Sequence, residues 1–209
     1  MTSSRPRPDI TEAVTLRSAR VVLRQLELDH APALSEALSR DDLWRTWYTI
    51  VPAPDRVEEE ITRRLDLQAA GSMAPWTIFD AATDLPVGMT TYMNIDAVTP
   101  RVEVGSTWLL RSAQRSGINA HTKRLVLGRA FDDLGCLAVE FRTHFHNHQS
   151  RDALARLGAK QDGVLRHHQM FAGVPRDTVV FSIIEAEWPT VRLSLDERIA
   201  AGERRAADG

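Results

Sequence analysis

The segment Gln114-Arg-Ser-Gly-Ile-Asn119 separates a strand-like run, Val102-Glu-Val-Gly-Ser-Thr-Trp-Leu-Leu110, from an amphipathic helical stretch. Gly117 can adopt backbone angles closed to other residues, and Asn119 is a good helix N-cap. The amides of a first helical turn have no helical carbonyl to reach, so strand, glycine turn and helix start together make a seat for an anion such as a pyrophosphate. Taken singly, Gly117 reads equally as a loop glycine and Asn119 as an ordinary cap. A second group of reactive side chains lies downstream. His144, His146 and His148 alternate as residues on one face of a strand do, and histidines so placed can bind a metal. Asn147 should already be leaving the strand, however, and no cysteine or acid nearby completes a four-ligand set, so no metal is expected. No activated Cys-His or Ser-His-Asp set stands out either, which argues against a covalent intermediate.

The composition around these residues is that of a soluble globular protein. With 209 residues, 43% apolar and 26% charged, the chain suits one large α/β domain with a hydrophobic core. Its 26 basic and 28 acidic side chains leave a formal charge of −2, so nothing electrostatic indicates a general nucleic-acid partner. The longest apolar runs, such as Thr178 to Ile184, are too short to span a bilayer, and the N-terminus has no apolar core resembling a signal peptide. No membrane partner is expected, and the location expected is cytoplasmic. The single cysteine, Cys136, cannot form an internal disulfide and reads as a packing residue among Leu134, Leu137 and Val139.

The elements that must position the site follow from periodicity and punctuation. Residues 1–15 are polar, hold Pro6 and Pro8 and show no sustained period, so a flexible N-terminal arm is expected. Val21 to Leu26 reads as a strand, and Asp29 can cap a short helix through Leu38 with Pro32 in its first turn. Val57, Ile61 and Leu65 recur at four-residue steps behind leading acids, with Gly71 as a stop, which predicts a helix. Trp76 to Asp80 and Val87 to Ile95 flank a turn-like stretch and predict an antiparallel hairpin, with Val102 to Leu109 as the next strand. The second half alternates. A helix opens at Asn119, shows Leu127, Ala130, Phe131 and Leu134 on one face and is closed by Gly135; a strand from Leu137 to Phe145 follows. A short helix after Asn147 stops at Gly158, strands Val164 to Phe171 and Thr178 to Ile184 hinge at Gly173-Val-Pro175, and a last helix opens at Trp188. Residues 16–200 read as a single domain and 201–209 as a flexible tail.

A strand, turn and helix in this setting could serve several nucleotides. No Gly-x-Gly-x-x-Gly run exists, and Gly117 is not followed by Gly-Lys-Ser/Thr, so the dinucleotide and P-loop readings fail. Five other patterns occur in order: Gln114-x-x-Gly117; Asn147-x-x-Ser150-Arg151 heading a helix that ends Leu157-Gly158-Ala159; Gly163-x-Leu165-Arg166; Arg176-Asp177-Thr178-Val179; and Glu187-Trp188-Pro189. In these the chain resembles the GNAT N-acetyltransferase superfamily, and more closely its RimJ/RimL-like branch, from roughly Leu16 to Trp188. One departure is Asn119, which stands where the family's turn usually ends in Gly or Ala.

The resemblance implies an α/β (α+β) fold: a mixed, mostly antiparallel central sheet of about seven strands flanked by helices, with the fourth and fifth strands splayed. It implies acetyl-CoA as cosubstrate and no metal. The strand Val102 to Leu110 would part from Leu137 to Phe145, with a bulge at Gly105, and pantetheine would lie in the opening with amides near Trp108, Leu109 and Leu110 facing the thioester. Gln114, Arg115, Ser116, Gly117, Ile118 and Asn119 would hold the pyrophosphate. Asn147 would bond the pantetheine amides or simply cap its helix, and Arg151 would reach a phosphate or remain a surface arginine. An acyl thioester is already activated, so catalysis consists of holding an amine against it, stabilising an oxyanion and moving protons. An alkyl ammonium, with a pKa of about 10, must first lose a proton. Glu103 is the first candidate base, against the alternative of a solvated strand carboxylate; His168, beside His167, is the second. Many relatives protonate the departing thiolate with a tyrosine from the helix after the asparagine. The only tyrosines here are Tyr48 and Tyr92, so Ser150 takes that role or orients a water, against the alternative of capping a helix. The stretch Asp41-Asp-Leu-Trp-Arg-Thr-Trp-Tyr48 would wall an acceptor pocket, or else be core. The expected reaction is acetyl transfer to a primary amine, more readily of a small molecule. A protein N-terminus, as in the ribosomal-protein acetyltransferases, and a non-catalytic acyl-CoA-binding module are the alternatives; the missing tyrosine and Asn119 argue for the latter. Relatives are often dimers, so a homodimer is expected by analogy alone.

Overall fold

In the computed structural model, which describes residues 9–207, one eight-stranded sheet runs through the molecule in the order β1-β2-β3-β4-β5-β6-β8-β7. The strands are β1 (Leu16–Arg17), β2 (Val21–Gln25), β3 (Met73–Asp80), β4 (Pro86–Asp96), β5 (Arg101–Leu109), β6 (Ala138–His144), β7 (Lys160–Phe171) and β8 (Val174–Ile184). All neighbours are antiparallel except β5 and β6, which run parallel. That pair needs a crossover, which α3 (Ile118–Gly128) and a following π-helical turn, Arg129–Asp133, provide. The helices α1 (Ala31–Ser39), α2 (Val57–Ala69), α4 (His148–Leu157) and α5 (Trp188–Ala207) complete the fold. The expected architecture is present, with the two-residue β1 as the strand beyond seven.

Two apolar layers divide the helices between the faces of the sheet. Leu34 and Leu38 of α1 and Val57 and Ile61 of α2 bury themselves with Met89, Trp108 and Leu110 on one face. On the other, Val126 and Leu127 of α3, Leu154 and Leu157 of α4 and Val191 and Leu195 of α5 meet Val102, Val104, Val139, Phe141 and Phe181. Buried Cys136 belongs to this second core. Strand alternation assigns the intervening residues: Glu103, Glu140 and Arg142 lie on the α1/α2 face.

The chain termini differ from the sequence reading. Of the expected arm, residues 1–8 lie outside the described residues, whereas 9–15 are tied to the body. Ala13 is buried, Val14 O accepts from Trp76 Nε1 (2.8 Å), and Thr11 O accepts from Gln68 (2.9 Å). At the other end α5 continues to Ala207, and apart from Gly202 its last residues are Ala, Glu and Arg, all strong helix formers. The last two residues lie outside the described ones.

Candidate functional site

The sheet opens between β5 and β6. Pairing is confined to Arg101 with Ala138, Val102 with Val139 and Glu103 with Glu140, although β5 continues to Leu109 and β6 to His144. What bends β5 away is a bulge. Between Met89 and Thr91 of β4 the register slips by one residue on β5, and Ser106 takes a left-handed φ of 46°. The side-chain alternation inverts there: Val102 and Val104 face α3, whereas Trp108 faces α1 and α2. The bulge thus centres on Ser106, one residue beyond the expected Gly105. Gly105 serves differently. A Cβ there would stand 2.9 Å from Glu103 Oε1 and 2.7 Å from Met93 Sδ, so the missing side chain leaves room for the carboxylate.

A residue with no functional signal in the linear pattern anchors the bulge. Arg64 of α2, 1% exposed, donates to Ser106 O (3.3 Å) and Thr91 Oγ1 (2.7 Å), while its Nε bonds Glu60 (2.7 Å). Burial alone would pull its pKa down, and Glu60 opposes this. Beyond the bulge, Leu110 N–H donates to Val87 O (2.9 Å), so that amide is engaged with β4. Backbone groups alternate along a strand, so the amide of Leu109, not those of Leu110 or Trp108, faces the opening. Leu109 O is held by Gln114 Nε2 at 3.0 Å.

At the mouth, the turn before α3 is built from two left-handed residues, Arg115 (φ 60°) and Gly117 (φ 92°). Gly117, not Asn119, is the N-cap. Its carbonyl takes the amides of Ala120 (2.9 Å) and His121 (3.2 Å), and Asn119 sits exposed in the first turn. The geometry requires this, since the chain enters the helix through a positive φ that glycine adopts without strain. Among the described residues the amides of Arg115, Ser116, Gly117 and Asn119 donate to no protein acceptor, and that of Ile118 reaches only Ser116 Oγ at 3.4 Å. Such a concave run of amides at a helix start suits an anion.

Where the strands part, on the α1/α2 face, Glu103 is 6% exposed. Asn94 donates to its Oε2 at 2.7 Å, and Arg142 Nε lies 3.4 Å from the same oxygen. Burial raises its pKa above the carboxylate norm, against the opposing pull of Asn94 and Arg142. Glu103 is therefore not a solvated strand carboxylate. Arg142 also meets Glu140 at 3.1 Å. The far wall of this face is aromatic: Trp47, 59% exposed, lies edge-on to His144 (5.3 Å between centroids) and beside His146 (5.8 Å) and Tyr48 (5.4 Å). Its loop is tethered to the end of β5, where Asp41 accepts from Arg111 N at 2.7 Å and Asp42 pairs with the Arg111 guanidinium.

The remaining sequence candidates are dispersed. Asn147 caps α4, its Oδ1 accepting from Ser150 N at 3.0 Å, and the half-buried Ser150 is in the first turn. Arg151 donates to Phe145 O (3.1 Å) and its guanidinium lies over the Phe145 ring. His168 is exposed, with Nδ1 3.2 Å from Thr178 Oγ1; Thr178 is the cross-strand partner of His144. His144 and His146 contact each other as rings (5.6 Å), and among the described residues no group of three or more His, Cys, Asp or Glu could hold a metal. Arg64, Asn94 and Arg142 escaped sequence reading as site residues because a lone polar residue on a strand or helix carries no period, and Arg176 entered only as part of a pattern; alternation with Glu140 on the same strand places Arg142 on a face but does not show that Glu103 lies beside it.

Comparison with known proteins agrees with this geometry. The acetyltransferase (GNAT) domain family matches residues 20–160. YdaF of Bacillus subtilis strain 168, whose name carries a provisional ribosomal N-acetyltransferase assignment, is 28% identical over 101 residues. The match covers 48% of this chain and about half, 55%, of that protein. A GCN5-related N-acetyltransferase from Brucella melitensis superposes with a TM-score of 0.83 at 25% identity, covering 95% of this chain and 90% of the other. RimL, a ribosomal α-N-protein acetyltransferase solved in complex with coenzyme A, shares the fold with a TM-score of 0.71 at 17% identity, covering 83% and 99%. Parted strands, a helix start with spare amides and a match over most of the chain lead to one conclusion: this protein belongs to the GNAT acetyltransferase family.

Proposed function

We propose that this protein transfers the acetyl group of acetyl-CoA directly to a primary amine, and that the acceptor is a small molecule. The observation that carries the reading is the three-residue pairing of β5 with β6 followed by divergence, with unpaired amides at the wide end and a buried carboxylate at the narrow one. The amides of Arg115, Ser116, Gly117 and Asn119 would take the diphosphate, and the Leu109 amide would face the thioester arm. Glu103, its pKa raised by burial, is the base that accepts the ammonium proton. The amine then attacks the thioester carbonyl, and the tetrahedral intermediate expels thiolate, which Ser150 or a water it orients protonates. The half-buried Ser150 at the head of α4 supports that role only by position.

The names of YdaF and RimL favour a second reading, in which the acceptor is a protein N-terminus. Thiol release from acetyl-CoA with a panel of small amines and N-terminal peptides separates the two. Release with small amines supports the first, and release with peptides alone supports the second. Tight coenzyme binding with no release for any amine would sink acetyl transfer and leave a binding module.

A further inference from the structure

Charges on the acceptor face are paired around the base. Arg142 stands between Glu103 (3.4 Å) and Glu140 (3.1 Å), and Arg101 between Glu140 (3.3 Å) and Asp96 (3.5 Å). Arg176 is different. It lies on the same face of β8, two residues from Thr178, and feels the Glu103 charge at a distance, yet among the described residues it has no carboxylate within 4.0 Å and its side chain donates no hydrogen bond. Its Nε is buried without a partner. An arginine stays ionised at any physiological pH, so a partly desolvated guanidinium without an acceptor is costly unless something else supplies one.

Arg176 opens onto a cavity of about 170 Å³ that His144, His146, His167 and Asp177 also line. The Asp177 carboxylate is already engaged by the His167 amide (2.8 Å) and by Arg166 (2.6 Å). His144 is buried, and its Nδ1 accepts from the His146 amide at 3.1 Å. Burial, then Arg176 and His146, lower its pKa, so the neutral ring carries its proton on Nε2 and can donate. A spare guanidinium beside an imidazole donor is the chemistry that recognises an oxyanion.

We propose that the acceptor is an amine carrying a remote oxyanion, a carboxylate or phosphate, which Arg176 and His144 bind while the amine stands at Glu103. This rests on the acetyl-transfer reading above. Arg176 is six residues along β8 from Ser182, the cross-strand partner of Glu140, about 20 Å of strand before the two long side chains reach inward. The Arg176 and Glu103 side chains nevertheless reach far enough across the face to interact electrostatically without forming an ion pair, and that span separates oxyanion from amine. An ω-amino carboxylate, an amino phosphate or a peptide N-terminus with an acidic side chain a few residues in meets that requirement.

The test is calorimetric binding to the coenzyme A complex, comparing ω-amino carboxylates of increasing length and aminoalkyl phosphates with matched n-alkylamines, and acidic N-terminal peptides with their amide counterparts. The charged member of a pair should bind about tenfold or more tightly. Arg176→Gln should abolish that preference, and Arg176→Lys should keep part of it in a protein whose melting shows it folded. Preference within the small-molecule pairs or only within the peptide pairs identifies the source. Equal affinity within every pair, no binding of any member, or a preference that survives in Arg176→Gln would overturn the proposal. Failure of acetyl transfer itself would appear separately, as charged amines that bind but release no thiol from acetyl-CoA.

Discussion

At the scale of the residue, the account depends on a carboxylate kept out of water. Burial raises the pKa of Glu103, so the ionised base accumulates only as pH climbs past a value above the ordinary carboxylate range. The acid limb of kcat/KM should accordingly carry an inflection from Glu103, and Glu103→Gln should remove that inflection while lowering kcat by about 10² to 10⁴-fold. Coenzyme affinity should hardly change. A pH profile unaltered in shape by the substitution would dismiss Glu103 as the base. The same burial has a consequence for stability. A raised native pKa means that folding disfavours the ionised form, so its contribution to stability is greatest below the unfolded pKa and is lost as pH rises through the folded one.

Among the elements, the decisive contact is between α2 and the bulge of β5. Arg64→Met would leave Ser106 O and Thr91 Oγ1 without their donor, while Glu60 keeps Arg63 at 2.7 Å. A loss of about 3 kcal/mol is expected, at roughly 1–3 kcal/mol for each stranded buried group, read as a lower urea midpoint. If Arg64 positions the bulge and is not merely packed, kcat should also fall more than coenzyme affinity does, and Arg64→Lys should restore part of it. Gly88 is the second such point, since a Cβ would stand 2.1 Å from Trp108 O. Gly88→Ala must push β4 from β5 and should cost about 1–3 kcal/mol; an unchanged melting temperature would contradict the close approach. Most of these elements were legible in the sequence. Four-residue apolar steps placed α2, and Gly158 ended α4 as expected, in a left-handed turn with φ of 100°. What failed was local. Asn119 is a good cap by type, but the positive φ at Gly117 moves the helix start two residues earlier, and the bulge falls at Ser106 because cross-strand register, set by β4, decides its place. The expected splay was legible through resemblance, whereas the cluster of Glu103, Asn94, Arg142 and Arg176 depends on which strands become neighbours, and no linear pattern encodes that.

For the molecule as a whole, one sheet with a core on each face joins the proposed coenzyme mouth, the proposed base and the proposed acceptor wall in a continuous structure. Ligand binding at the parted strands should therefore stabilise the whole domain. Coenzyme A at about 100 times its Kd should add about 2.7 kcal/mol and raise the midpoint of a single unfolding transition. Two transitions of which only one responds would show that the cores melt independently. No helix among the described residues is long and apolar enough to cross a membrane. The central claim, that spare amides at the turn and on the open edge of β5 hold the thioester carrier, is tested most directly by residue-resolved amide hydrogen exchange with and without coenzyme A. Protection is expected at Arg115, Ser116, Gly117, Asn119 and Leu109, with little change at Leu110, whose amide is already bonded to Val87. Unchanged exchange at all five, with coenzyme A bound and protection elsewhere, would contradict it.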